Sequence, residues 1–267
     1  MFIFKLPLCT AVLCFFITSC GQVNYKQVLT ECKELAATNN PESWKEVQEK
    51  LEPLVLKKKM MDDVIDADRL YCFYMISLMK TNKIDQANDF AEIGLERYPE
   101  SPMLNFLVGK LYMEEGRLVE AVPFLEKAND LKPGDTNTLA LLLHCAAETK
   151  NPRADMYFQQ AVMMDEFRFD PAFHNQWGRL LVSQKKYFGS IQKFSAAYRV
   201  DKSDPTPFIQ MAIVFEKHLQ NDKVARSRYV KYLIEISKNP SSGSKENMTL
   251  VKSRLRAIQQ RAAVAKR

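Results

Sequence analysis

The stretch Pro102–Asp135, PMLNFLVGKLYMEEGRLVEAVPFLEKANDLKPGD, decides the fold. It reads as two antiparallel helices joined by a short turn, and such helices approach closely only where Gly or Ala presents no bulky side chain. Gly109, after Val108, and Ala121 fill that role. Tyr112 follows one turn after the close approach, and Leu125 fills the space beside it. Ala128 continues the second helix, and Pro133 ends it because proline cannot carry on the helical hydrogen bonds.

The unit recurs. Pro99 and Pro133 are 34 residues apart, and so are Ala87 and Ala121, and Pro171 and Pro205. Residues 68–101 form a looser copy, with Ala87 and Pro99 in place but Tyr74-Met75 where the small pair should be. The copy at 136–170 keeps Ala154, Phe158 and Ala161, then carries an insertion from Met164 to Asp170. Residues 171–204 supply Trp177-Gly178, Phe194 and Ala197, and 205–239 supply Ala212, Phe215, Ala225 and Tyr229. A period of 34 residues and these small and aromatic positions resemble the tetratricopeptide (TPR) repeat, most completely over Pro102–Asp135. The resemblance implies an all-α fold: a helix-turn-helix solenoid wound as a right-handed superhelix and closed by a capping helix.

Composition agrees. Glycine is scarce at 8 in 267 residues and the hydrophobic content is 46%, enough for a core, so a globular helical chain with almost no strand is expected.

The expected organisation has four parts. Residues 1–19 read as a signal segment: Lys5 precedes a mainly apolar run from Leu6 to Ile17, too short to cross a ~30 Å hydrocarbon core comfortably. Residues 20–60 hold Cys20, a short tether and a degenerate hairpin with apolar faces Val28, Cys32, Leu35 and Val47, Leu51, Leu54. Ser43 with Glu46 is spaced as a capping box at the start of its second helix, and Lys57-Lys58-Lys59 suits a solvated C-terminal turn. Residues 61–239 hold about five repeats. Residues 240–267 are a breaker, Pro240-Ser241-Ser242-Gly243-Ser244, and a basic capping helix with Val251, Leu255, Ile258 and Ala262 on one face.

Ile17-Thr18-Ser19-Cys20 resembles the lipobox of bacterial lipoproteins, which implies that Cys20 is acylated and begins the mature chain. Gly21 rather than aspartate after it implies sorting to the outer membrane. The alternative is an ordinary signal peptide or an uncleaved anchor that happens to end in cysteine. Cys32, Cys72 and Cys145 then remain; with no CxxC spacing they read as buried thiols, although a pair among them could be oxidised.

The formal net charge of +6 is carried by the last segment, where Lys245, Lys252, Arg254, Arg256, Arg261, Lys266 and Arg267 face only Glu246. That helix is either a cap with a solvated basic face or a contact for anionic lipid headgroups or an acidic partner. Nucleic acid is disfavoured as a partner, because the basic charge is confined to one short helix and the export signal leads away from it.

No catalytic constellation is expected: His144, His174 and His218 are isolated, and HExxH, GxSxG and phosphate-cradling glycine loops are absent from the sequence. No cofactor and no metal are expected; Asp62-Asp63, Asp66 and Asp68 suit a helix N-terminus better than a metal site. His144, on a first helix, faces either the groove or the core.

In the TPR family the first helices line the concave face through their second, fifth, ninth and twelfth positions. That resemblance places a partner groove at Arg69, Cys72, Ile76 and Met79, then Met103, Phe106, Lys110 and Met113, then Asn137, Ala140, His144 and Ala147. It continues with Ala172, Asn175, Arg179 and Val182, and with Thr206, Ile209, Ile213 and Glu216. The Lys and Asn pattern with which some cytosolic relatives clamp a terminal carboxylate is missing, whereas Met and Phe suit an apolar helix or extended segment. Alternatively, several of these side chains pack between neighbouring hairpins. The architecture resembles repeat lipoproteins that assist envelope assembly, such as pilotin-type proteins of type IV pili or adaptors of peptidoglycan hydrolases. It implies a binding scaffold; an enzyme with a concealed site is the alternative class, separable by a deep pocket of converging polar groups instead of an open groove.

Overall fold

The computed structural model describes residues 24–56 and 67–264. The segment 1–19, Cys20, Lys57-Lys58-Lys59 and Asp62, Asp63 and Asp66 lie outside the described residues. Among those described there is no strand, and they group into two compact units, one ending at Pro133 and one beginning at Gly134.

The first unit is three hairpins in chain order: α1 (Tyr25–Thr38) with α2 (Pro41–Val55), α3 (Ala67–Lys80) with α4 (Ile84–Arg97), and α5 (Pro102–Glu114) with α6 (Leu118–Leu131). The anticipated degenerate hairpin is present, with Val28, Cys32, Val47 and Leu51 in the core. Its second helix starts earlier than the capping-box reading places it. Asn40 is the N-cap, its side chain accepting the Ser43 N–H at 2.8 Å, and Pro41 opens the helix. Asn caps as well as Ser, and proline's fixed φ suits the first helical position, so Ser43 falls inside the first turn and is buried.

The second unit has α7 (Thr136–Glu148) with α8 (Ala154–Ala161), the one-turn α9 (Asp165–Arg168), α10 (Pro171–Ser183) with α11 (Tyr187–Val200), and α12 (Thr206–Ile213). A π-helical turn, Val214–His218, extends α12 before α13 (Asp222–Lys238) and the final α14 (Lys245–Val264). The insertion expected at Met164–Asp170 is where α9 forms.

The expected small residues sit where helices touch. A Cβ on Gly109 would lie 2.6 Å from Leu125 Cγ and 3.3 Å from the Ala121 carbonyl oxygen. On Gly178 it would lie 2.5 Å from Phe194 Cε1. Ala121, Leu125, Ala128 and Ala197 are all buried, while Tyr112 is half-buried with its ring 5.4 Å from Phe124. Pro133 follows the end of α6, whose cap is Lys132. The looser copy, lacking the small pair, is filled by aromatics instead: Tyr71 stacks on Phe90 at 5.2 Å and Tyr74 meets it edge-on at 4.7 Å.

Each hairpin from α3 onward turns through one left-handed residue: Asn82, Gly116, Lys150, Lys185 and Gln220. In the first four the next amide bonds back to a carbonyl five residues earlier, as Arg117 N–H does to Tyr112 at 2.8 Å, which satisfies orphan carbonyls of the first helix. At the fifth, Asn221 N–H reaches Phe215, six residues back. The π turn absorbs the extra residue and leaves the turn geometry intact.

Mid-helix Gly→Ala normally gains ~0.5–1 kcal/mol. We expect that gain for Gly94→Ala, whose Cβ would meet Leu104 no closer than 3.6 Å. Gly109→Ala should instead destabilise by ~1–3 kcal/mol through overpacking. Thermal melts that move in the same direction for both variants would refute the close approach.

Candidate partner-binding site

The positions expected to face a partner are half filled by the fold itself. In the first unit Met103 is 49% exposed and Arg69 is exposed, while Ile76, Met79, Phe106, Lys110 and Met113 are half-buried. Ile76, Met79 and Phe106 rest their inner sides on the unit's core. Lys110 pairs with Glu114 at 3.7 Å along its own helix, which leaves its ammonium at the surface. The result on α3 and α5 is an apolar, sulfur-rich strip with two cations, Arg69 and Lys110.

Three expected groove residues are corrected. Cys72 and Ile209, each the fifth position of its repeat counted from 68 and from 205, are 5% and 3% exposed. Cys72 lies beside Ser101 at the start of the next hairpin, so that hairpin covers it. Ile209 belongs to the core shared by α12, α13 and α14. Glu216 lies in the π turn, where the extra residue takes it off the helical register counted from Thr206, and its side chain is only 4% exposed. The rest of the second unit's set is more polar. Asn137, Ala140, His144, Ala172 and Arg179 are exposed; Ala147, Asn175, Val182, Thr206 and Ile213 are half-buried. His144 therefore faces solvent and not the core.

Glu216 anchors a charged network that spacing alone does not reveal. Tyr229 donates its hydroxyl to it at 2.9 Å, and Arg261 of α14 reaches it at 2.9 Å while also pairing with Asp222 at 2.8 Å. Arg254 stands 3.7 Å away. The Asp222 carboxyl is held below the usual range by its bonds to Arg261, and burial together with Glu216 pushes the Tyr229 hydroxyl up. The anticipated capping helix is thus fastened by two arginines as well as by Val251 and Ile258. Ala262, placed by spacing on its apolar face, is exposed because the end of α14 outruns the surface it covers.

A second polar knot joins α8 to α10. Asp155 accepts from Trp177 Nε1 at 2.8 Å and from Lys186 at 2.7 Å, and the Lys193 ammonium lies 3.2 Å from the centre of the Trp177 ring. In the first unit Ser101 donates to Asp68 at 2.7 Å, tying α3 to the start of α5. Asp68 thus serves a hairpin junction.

Cys32, Cys72 and Cys145 are free and buried. Burial raises their thiols, Cys32 and Cys72 to about 12 and Cys145 to about 11, so they stay protonated and unreactive. Among the described residues no group of three or more His, Cys, Asp or Glu is placed to hold a metal ion, and no helix is long and apolar enough to cross a membrane.

His174 is buried against Phe173, with Nε2 2.9 Å from the Arg168 carbonyl oxygen. Burial lowers its pKa below the ordinary 6.5. The unfolded chain then binds a proton at a pH where the folded chain does not, so stability held above about pH 6.5 declines as pH falls through that value. Thermal melts should show this loss between pH 7.5 and 5.5, and His174→Gln should reduce it; an unchanged slope in the variant would overturn the assignment.

No protein-family model matches the chain, and no curated protein matches it in sequence. Solved structures do match in shape. YrrB, a TPR protein with an unusual peptide-binding site, is 19% identical over 76% of this chain and 97% of that one, with a TM-score of 0.59. MamA of Desulfovibrio magneticus RS-1 is 13% identical over 66% of this chain and 98% of its own, at 0.52. PilF of Pseudomonas aeruginosa is 14% identical over 85% of this chain and 96% of its own, at 0.53. With these likenesses, the recurring 34-residue hairpins and the close approaches at Gly109 and Gly178, the chain has the tetratricopeptide-repeat fold.

Proposed function

We propose that this chain is a non-catalytic scaffold, tethered to the outer membrane through lipid on Cys20 and facing the periplasm, that holds an apolar segment of another envelope protein. The observation that carries the reading is the strip of α3 and α5: Met79, Met103, Phe106 and Met113 stay at least partly exposed although the core lies beside them. Methionines adapt to an irregular apolar partner, and a half-buried aromatic serves as an anchor. The peptide-binding site of YrrB, on the same fold, supports the choice of ligand class. A narrower reading, assembly of a type IV pilus or secretin, is favoured by the length of chain shared with PilF.

Photocrosslinkers at Met103 and Met113, in membranes of the native organism, should capture one common partner that a crosslinker at Lys127 does not. With that partner isolated, Phe106→Ala should weaken binding by about 30-fold, the loss of ~2 kcal/mol expected for a truncated anchor. Lys127→Ala removes an exposed ion pair with Glu100 and should change little. Equal binding by all three proteins would defeat the groove reading. For the tether, Cys20→Ser should abolish a mass increment of acyl chains and release the chain from membranes; a variant still processed at the same bond and still bound would defeat it.

A further inference from the structure

The C-terminal helices separate their charges by direction. Over Val214–Val264 the acids are Glu216, Asp222, Glu235 and Glu246. Arg254 and Arg261 neutralise the first two, and Lys231 and Lys238 hold Glu235 at 2.6 and 3.1 Å. Glu246 alone remains for the exposed Lys217, Lys223, Arg226, Lys245, Lys252 and Arg256.

Helical spacing puts these cations in stripes. On α13, Lys223, Arg226, Val230 and Ile234 share the side opposite the buried Ala225, Tyr229, Tyr232 and Ile236. On α14, Lys245, Lys252 and Arg256 share the side opposite Arg254 and Arg261. Each helix thus turns its exposed free cations away from the core that both cover, while the half-buried Arg228 of α13 lies on the core side and is no part of the stripe. Ile234, 44% exposed, sits within the α13 stripe among those cations.

We infer that the outward faces of α13 and α14 form a surface that docks on an anionic phospholipid bilayer. Charge complementarity carries the choice. Unpaired cations spread along two helices, with no acid in either stripe, match a continuous anionic surface, whereas a protein with fixed carboxylates needs a matching arrangement of partners. Apolar side chains within a basic stripe also fit the headgroup boundary, where the cation meets phosphate and the methyl groups meet acyl chain. The surface is built of other residues than the strip on α3 and α5 and does not depend on lipid at Cys20; with such an anchor it supplies the second signal that stable membrane attachment needs.

The test uses the full chain on vesicles of phosphatidylcholine alone and of phosphatidylcholine mixed with phosphatidylglycerol. Affinity contributed by the apolar run Leu6–Ile17, where it is retained, is common to both bilayers, so the informative quantity is the ratio of the two affinities. Each cation near an anionic surface changes binding roughly five-fold. Reversing Lys223 and Arg226, or Lys252 and Arg256, to Glu should each lower the anionic preference, and all four together should lower it by at least ~10-fold. The same four changed to Gln should give a smaller fall with an unchanged melt, which guards against misfolding. Reversing four exposed lysines of the first unit, Lys26, Lys33, Lys80 and Lys83, should leave the preference alone, and added salt should erase it. A ratio unaffected by the α13 and α14 variants would overturn the inference. So would capture of a polyglutamate peptide by a chain that shows no preference for anionic vesicles, which would put an acidic protein partner in the bilayer's place.

Discussion

The close approach of paired helices at a residue without a side chain is the constraint on which the best-formed hairpins rest. At Gly109 and Gly178 the space that a Cβ would occupy is already taken by Leu125 and Phe194. Interiors are close-packed, so a methyl group there has nowhere to go without moving a buried side chain. The same constraint explains the departure between α3 and α4. Where Tyr74 and Met75 replace the small pair, the core is built from stacked and edge-on rings around Phe90. Larger residues are accommodated there by changing what fills the interface.

Turn geometry is held more strictly than chain length. The left-handed residue recurs at Asn82, Gly116, Lys150, Lys185 and Gln220, and only one of these is glycine. Lysine tolerates the strained backbone because the turn repays it by satisfying carbonyls at the end of each first helix. When the chain gains a residue before the last of these turns, the helix takes it up as a π turn. That local adjustment carries Glu216 into a buried position, where Arg254 and Arg261 compensate its charge and Tyr229 donates a hydrogen bond to it. A buried carboxylate without such partners would be strongly destabilising.

The apolar strip and the charged stripes answer to different forces. The strip on α3 and α5 offers apolar area that its own hairpins leave partly uncovered, and its strength depends on removing that area from water. On α13 and α14 the acids are consumed internally and the cations left outside, an arrangement whose reach depends on ionic strength.

Much of this was determined locally. The 34-residue spacing, Gly109, Ala121, Gly178 and Ala197 announced hairpins from sequence alone, because a steric requirement at a helix crossing admits few residue types. The stripe Val251, Ile258 announced the capping helix in the same way. What the sequence could not decide is which side of a register position another hairpin would cover. Cys72 and Ile209 carry the same positional credentials as Phe106, yet the neighbouring hairpin and α14 bury them. The start of α2 was ambiguous for a similar reason: Asn40 and Ser43 both make sound caps, and only the folded chain shows Ser43 buried and Asn40 at the end. Arg254 and Arg261 read as free charge in the sequence, since their acids lie about 40 residues away in the chain and meet them only through tertiary packing.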